Sequence, residues 1–250
     1  MLLYNDFFKK IEISFILVII FYGFFKLLIY RFSSRLVIRL NIIKHCSFEV
    51  AKGAIELPVM VLFHIVFCIL CVYFLSISMH SSLSFLYPSI IPLIILGILL
   101  GVGLMGFSSL LSRVAIEFCR FFYSSLPEDM GQWLIMVRSG WMRHYFHTLN
   151  VLPFYAALSI VCAQVGCEEI FFRGILIQYF SNFGPWIAVI ASTCFFMSMQ
   201  VFHMPSRLSI IFPLIGSMVI GIVHGILYWH IPSLIPLIVS HTTFFLVAVL

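Results

Sequence analysis

Gln164-Val165-Gly166-Cys167-Glu168-Glu169-Ile170-Phe171-Phe172-Arg173-Gly174 places two carboxylates and an arginine inside an apolar run that extends from residue 151 to residue 178. A run of that length, about 20 residues or more, can cross a bilayer as a helix. The rest of the chain decides between a soluble and a membrane setting. It is 63% hydrophobic, with 14 Lys and Arg and 9 Asp and Glu in 250 residues, whereas ordinary soluble domains carry about 25% charged side chains. So few charges cannot clothe a soluble surface, and disorder needs the opposite composition. Fourteen glycines without a period exclude a collagen-like chain, and seven cysteines spread over this length exclude a disulfide scaffold. In lipid the backbone must satisfy its own hydrogen bonds. The expected fold is therefore all-α, a polytopic transmembrane helical bundle.

Outward from 151–178, further apolar runs occur at 11–30, 57–79, 86–107, 185–204, 209–229 and 232–250, so about seven spans are expected. The stretch 108–150 is the one long segment outside them. Within it Val114, Phe118, Phe121 and Phe122 recur at helical spacing opposite Arg113, Glu117 and Arg120, the pattern of an interfacial amphipathic helix. Trp133, Trp141 and Tyr145 suit the same headgroup depth. Residues 1–150 read as N-terminal membrane helices plus this connector, and 151–250 as the part that carries the chemistry. The net charge of +5 is spread along segments flanking the spans, which encodes topology and gives no nucleic-acid footprint.

Charges deep in a bilayer are costly and usually functional. Successive helical residues sit about 100° apart, so Glu168 and Glu169 point in different directions. Glu169 and Arg173 are i,i+4 with the acid first, the favourable order for a pair. Glu168 is left without a local cation, with Gln164 one turn before it. A purely structural alternative is a buried Glu169–Arg173 lock with Glu168 as a neutral hydrogen-bond donor. The histidines weigh against it. His203 closes the span at 185–204 and His241 lies deep in the last one, and a glutamate with two histidines on three spans can activate water in a dry cavity. His224 and His230 neighbour the interfacial Tyr228 and Trp229, and His45, His64, His80, His144 and His147 show no constellation around them. Cys68 and Cys71 form a CxxC spacing in wholly apolar surroundings, which reads as packing thiols.

Glu168-Glu169-Ile170-Phe171-Phe172-Arg173 resembles the EExxxR motif of the CPBP family, the CAAX-prenyl-protease and bacteriocin-processing (Abi) intramembrane proteases. His203 matches the histidine of that family's second motif, FxxxH, with Met199 in the place of its Phe. The run from Gly225 to His241 is similar to the last core segment, which ends in HxxxN or HxxxD; here Phe245 replaces the Asn or Asp. The likeness covers roughly residues 150–250. It implies an intramembrane endopeptidase that cuts a membrane-associated peptide or protein, in which Glu168 and His203 activate water and His241 supports the oxyanion, with Glu169, Arg173 and Gln164 as supporting groups. Loss of one oxyanion donor typically costs about 10²–10³ in rate. Phe245 thus implies a slow enzyme, a substitute donor (Gln164, Thr242 or His224), or a catalytically silent relative acting as a membrane scaffold or regulatory protein.

Two chemistries fit the three side chains. One is a metal-free glutamate–histidine site. The other is a zinc ion on Glu168, His203 and His241 with water in the fourth position and Glu169 as base. Three ligands from separate helices need partners that orient them, and few polar groups flank these histidines, so the sequence leans away from a tightly held zinc.

Ten basic residues flank alternate spans on one side (Arg31, Arg35, Arg39, Lys44, Lys52, Arg113, Arg120, Arg138, Arg143 and Arg207), against Lys9 and Lys10 on the other. The positive-inside rule then places the C-terminus in the cytoplasm and the N-terminus outside. A reporter fused after Leu250 or inserted near Arg138 is expected to read cytoplasmic, and one near His80 external; cytoplasmic signal at His80 would invert the orientation.

Overall fold

The computed structural model describes residues 2–40, 47–77, 90–122, 142–202 and 209–249, and among these every regular element is helical. Helix α1 (Leu2–Val18) runs through a π-helical stretch (Ile19–Phe24) into α2 (Phe25–Arg39). Then follow α3 (Phe48–Phe74), α4 (Ile91–Phe122) and α5 (Met142–Val151). Helix α6 (Phe154–Glu169) passes through a second π stretch (Ile170–Leu176) into α7 (Ile177–Phe180). Helices α8 (Pro185–Val201), α9 (Ile211–His230) and α10 (Ile235–Val249) complete the chain. Phe48–Phe74, Ile91–Phe122 and Ile211–His230 are long and apolar enough to cross a membrane, and α8 and α10 are shorter apolar helices. The chain is an integral membrane helical bundle.

Local sequence sets the helix ends. The Ser47 hydroxyl accepts the backbone N–H of Val50 at 3.4 Å, and Glu49 stands in the first turn of α3, both favourable at a positive helix N-terminus. Gly184, at φ +92°, turns the chain into α8, and Pro185 opens that helix at a position that needs no N–H.

Several boundaries differ from the apolar runs. The first helix continues past its run to Arg39, α3 begins at Phe48, ahead of the run at 57–79, and α4 extends through Phe122, so residues 108–122 prolong a span and do not form a separate interfacial helix. Apolarity marks where a chain is solvated by lipid, whereas a helix ends where its i→i−4 hydrogen bonds end. Trp133 and Trp141 lie outside the described residues. Tyr145, expected among headgroups, is instead buried in the bundle.

The segment joining α6 to α7 is the centre of the molecule. Phe171, Phe172, Arg173, Ile175 and Leu176 are completely buried, as a helix covered on all sides must be. The first π stretch packs there too, with the Tyr22 ring stacked 6.1 Å from that of Phe172.

Close approach between helices depends on glycine. A Cβ on Gly97 would stand 2.7 Å from Val239 Cβ, and one on Gly101 would collide with the carbonyl oxygen of Ser240. The GxxxG spacing 97–101 therefore seats α4 directly on the backbone of α10. Gly221 and Gly225 do the same for α9 on α8, where a Cβ would lie 2.6 Å from Thr193 Cγ2 and 2.8 Å from Val189 Cγ1 respectively. Between helices in lipid there is little hydrophobic drive, so backbone proximity and van der Waals packing carry the association.

Gly101→Ala is accordingly expected to destabilise the bundle by about 1–3 kcal/mol through overpacking. Gly103→Ala, whose Cβ would meet nothing within 4 Å, should be neutral or slightly stabilising, because alanine is the better helix former. Thermal unfolding of the two variants in one detergent reads the difference; equal melting temperatures would refute the glycine contact.

Candidate active site

Helix α6 carries Gln164 and Glu168 one turn apart on one face, and Glu169 turned away from them. Gln164 Nε2 donates to Glu168 Oε1 at 3.0 Å and lies 3.2 Å from His64 Nδ1. An amide NH2 has two hydrogens. With one on Glu168 and the other on His64 Nδ1, the imidazole of His64 carries its proton on Nε2. That Nε2–H donates to the Tyr22 hydroxyl at 3.0 Å. A buried chain Tyr22–His64–Gln164–Glu168 thus joins the first π stretch and α3 to the carboxylate.

Glu169 is held differently. Its Oε2 lies 3.4 Å from Arg173 Nε, with both side chains fully buried. Among the described residues the Arg173 nitrogens have no hydrogen-bond partner. The guanidinium lies over the Phe196 ring, 4.4 Å from its centroid, a cation–π contact worth about 2 kcal/mol or more when desolvated. Glu169 Oε1 accepts Nδ1–H from His241 at 2.7 Å and from His224 at 3.2 Å. An ionised carboxylate only accepts, so both rings carry the Nδ1 proton. His224 Nε2 then accepts the Ser240 hydroxyl at 3.0 Å.

This arrangement points His241 Nε2 at Glu168, 4.0 Å from Oε2. That is too long for a direct hydrogen bond and is a span that one water can bridge. Glu168 and His241, from separate helices, therefore meet, whereas His203 lies outside the described residues. Two of the three zinc-ligand candidates face each other, and Glu169 on Nδ1 of His241 is the carboxylate–histidine arrangement that orients a metal-binding ring. The sequence suggested that few polar groups flank these histidines; for His241, Glu169 is one. Among the described residues, however, no three His, Cys, Asp or Glu side chains form a metal-binding group.

Two small cavities reach the site. One is lined by Glu168, Gln164, Tyr22, Tyr145 and Gln200, among others. The other is a mostly apolar cleft bounded by His241, Phe245, Phe196 and Gln200 and by residues of α9. Phe245 is sandwiched between rings, 4.9 Å from that of His241 and 5.0 Å from that of Tyr145. Where the resemblance implies an amide, this chain has an aromatic stack on its histidine.

Sequence reasoning gave His64 and Tyr22 no role and ranked His224 only as a weaker candidate and a substitute donor. The two histidines each had a signal in a helical stripe. Gly221, His224, Gly225 and Tyr228 follow the spacing of one helix face, as do Leu57, Val61, His64, Cys68 and Cys71, and every one of them is buried. A histidine inside a buried stripe must find a partner. The aromatic neighbours of His224 suggested the interface, but Tyr228 sits further along the same buried face and only Trp229 is partly exposed.

No curated protein and no solved structure matches the chain. Residues 134–247 match the family described as type II CAAX prenyl endopeptidase Rce1-like. That span contains Glu168, Glu169, Arg173, His224 and His241 together, while Tyr22 and His64 lie before it. The EExxxR carboxylates and a later-helix histidine, gathered in one buried site, thus fall within the stretch of the chain, residues 134–247, that is similar to the Rce1-like, CPBP-type family of membrane proteases.

Proposed function

We propose that the protein is an intramembrane endopeptidase that hydrolyses a peptide bond of a membrane-associated peptide or protein near the cytoplasmic leaflet. The family description suggests prenylated CAAX-type C-termini as the first substrates to test. The observation that carries the reading is the 4.0 Å gap between Glu168 Oε2 and His241 Nε2, buried, with each side chain oriented by its own partners. Glu168 takes a proton from the bridging water, with His203 assisting as the motif implies. The hydroxide oxygen bonds to the scissile carbonyl carbon, and the C=O π pair moves onto oxygen. The imidazolium form of His241, its Nδ1–H on Glu169, donates Nε2–H to that oxyanion. Collapse re-forms the carbonyl and breaks the C–N bond, and Glu168 returns its proton to the leaving amine. Gln164 and His64 hold Glu168, and Arg173 keeps Glu169 ionised. If zinc is bound, Glu168, His203 and His241 are the side chains that would hold it, and it would polarise the carbonyl as a Lewis acid.

A second reading, a catalytically silent scaffold that binds a membrane partner in the same cavity, is favoured by one observation: Phe245 stacks on His241 in the place of the family's amide.

Purified protein in liposomes, supplied with a quenched peptide ending in an S-farnesyl-cysteine CAAX sequence, separates the two. Glu168→Gln should abolish cleavage with the melting temperature unchanged. Glu169→Gln should lower stability by about 3–5 kcal/mol, because it strands the buried Arg173 charge. In cells, membrane-peptide proteomics of wild type against Glu168→Ala gives the same comparison without a chosen substrate. Full rescue of a deletion phenotype by Glu168→Ala, with no peptide changed, would establish the scaffold.

A further inference from the structure

The mechanism above leaves Gln200 unused, although it lines the site. Gln200, on the last turn of α8, is 4% exposed, and its Oε1 is buried without a hydrogen-bond partner among the described residues. Buried amides are rarely left so unless something from outside completes them. Gln200 is also the residue shared by the two cavities, standing with Glu168 and Gln164 in one and with His241 and Phe245 in the other. Gln200 thus borders both the cavity of Glu168 and the cavity of His241, the two sides a scissile peptide would have to touch.

The other candidate donors are spent or misplaced. Both hydrogens of the Gln164 amide go to Glu168 and His64. Both nitrogens of His224 are engaged, by Glu169 and Ser240. Thr242 lines neither cavity, and Phe245 offers only a ring. Rotation about the terminal torsion of a glutamine presents either its oxygen or its NH2 to a given point.

We propose that Gln200 is a catalytic residue, the amide donor that replaces the one lost at Phe245; the inference rests on the hydrolase reading above. Its N–H hydrogen-bonds the scissile carbonyl oxygen and strengthens that bond as the C=O π pair becomes the oxyanion lone pair. It gives up no proton: the water proton goes to Glu168 and then to the leaving amine. The same amide's oxygen is available to a backbone N–H of the bound peptide, which explains why an amide and not a cation stands between the two cavities.

The full chain in liposomes with the same farnesylated peptide tests this. Gln200→Met, similar in size but without donors, and Gln200→Glu, assayed at a pH where its carboxylate is ionised and only accepts, should each lower kcat about 10²–10³-fold with KM little changed, the split expected of a group acting on the transition state. The melting temperature of Gln200→Met should equal or exceed that of wild type, since an unpaired buried polar group has been removed. Wild-type rates in Gln200→Met, alongside a dead Glu168→Gln, would remove Gln200 and leave the protease standing. Loss of rate with a parallel fall in melting temperature in both variants would assign Gln200 to packing and overturn the inference. A wild type that cleaves nothing would remove the hydrolase reading and this inference with it.

Discussion

The carboxylate of Glu169 is the point on which the structure depends. It is completely buried, and a lone ionised group there would cost several kcal/mol. Three helices contribute to keeping it charged: the π stretch after α6 through Arg173, α9 through His224 and α10 through His241. The same contacts fix both imidazole tautomers and aim His241 Nε2 at Glu168. A structural ion pair and the orientation of a functional histidine are thus one interaction. The two adjacent acids therefore differ in their contacts: the second is held by Arg173, His224 and His241, and the first by Gln164, facing His241 Nε2.

That polar cluster can form only if the helices approach closely. In a bilayer the apolar faces of α3 and α4 gain little by leaving lipid for protein. Glycine supplies the proximity. Gly101 rests on the carbonyl of Ser240, the residue before His241, and the Ser240 hydroxyl holds His224. A packing contact on the outside of the site thereby positions the histidine within it. Gly221 and Gly225 flank His224 and seat α9 on α8 in the same way, which brings His224 within reach of Glu169. The N-terminal helices close the other side. Tyr22, His64 and Gln164 line up on Glu168, so the part of the chain before the family match is also a wall of the site.

The replacement of the family's last amide by Phe245 reads as a loss in one dimension and as a rearrangement in three. Its ring fills the space between His241 and Tyr145 and stacks on both. On the proposal made above, Gln200, on a different helix but bordering both cavities, takes over the polar function. Substitution within a dry site is constrained this way: a donor aimed at a developing oxyanion can come from any element that reaches it, provided some residue keeps the space filled.

The amino-acid sequence by itself determined the class. Sixty-three per cent apolar residues and repeated runs of span length leave only a membrane helical bundle, and the hundred-degree turn between Glu168 and Glu169, with Arg173 one turn on, separates the two acids because α-helical geometry is local. EExxxR and a later histidine are also legible, since they are short-range patterns. Only the tertiary structure decided what those residues touch. His64 and Tyr22 lie more than a hundred residues from Glu168, and His224 and Gln200 on helices with motifs of their own or none. Their roles follow from which glycine faces meet and which stripe turns inward, and those are set by packing between helices. Local periodicity marks the stripe. Its partner is chosen by the fold, and for that reason the carboxylates could be read from the chain while the network that orients them could not.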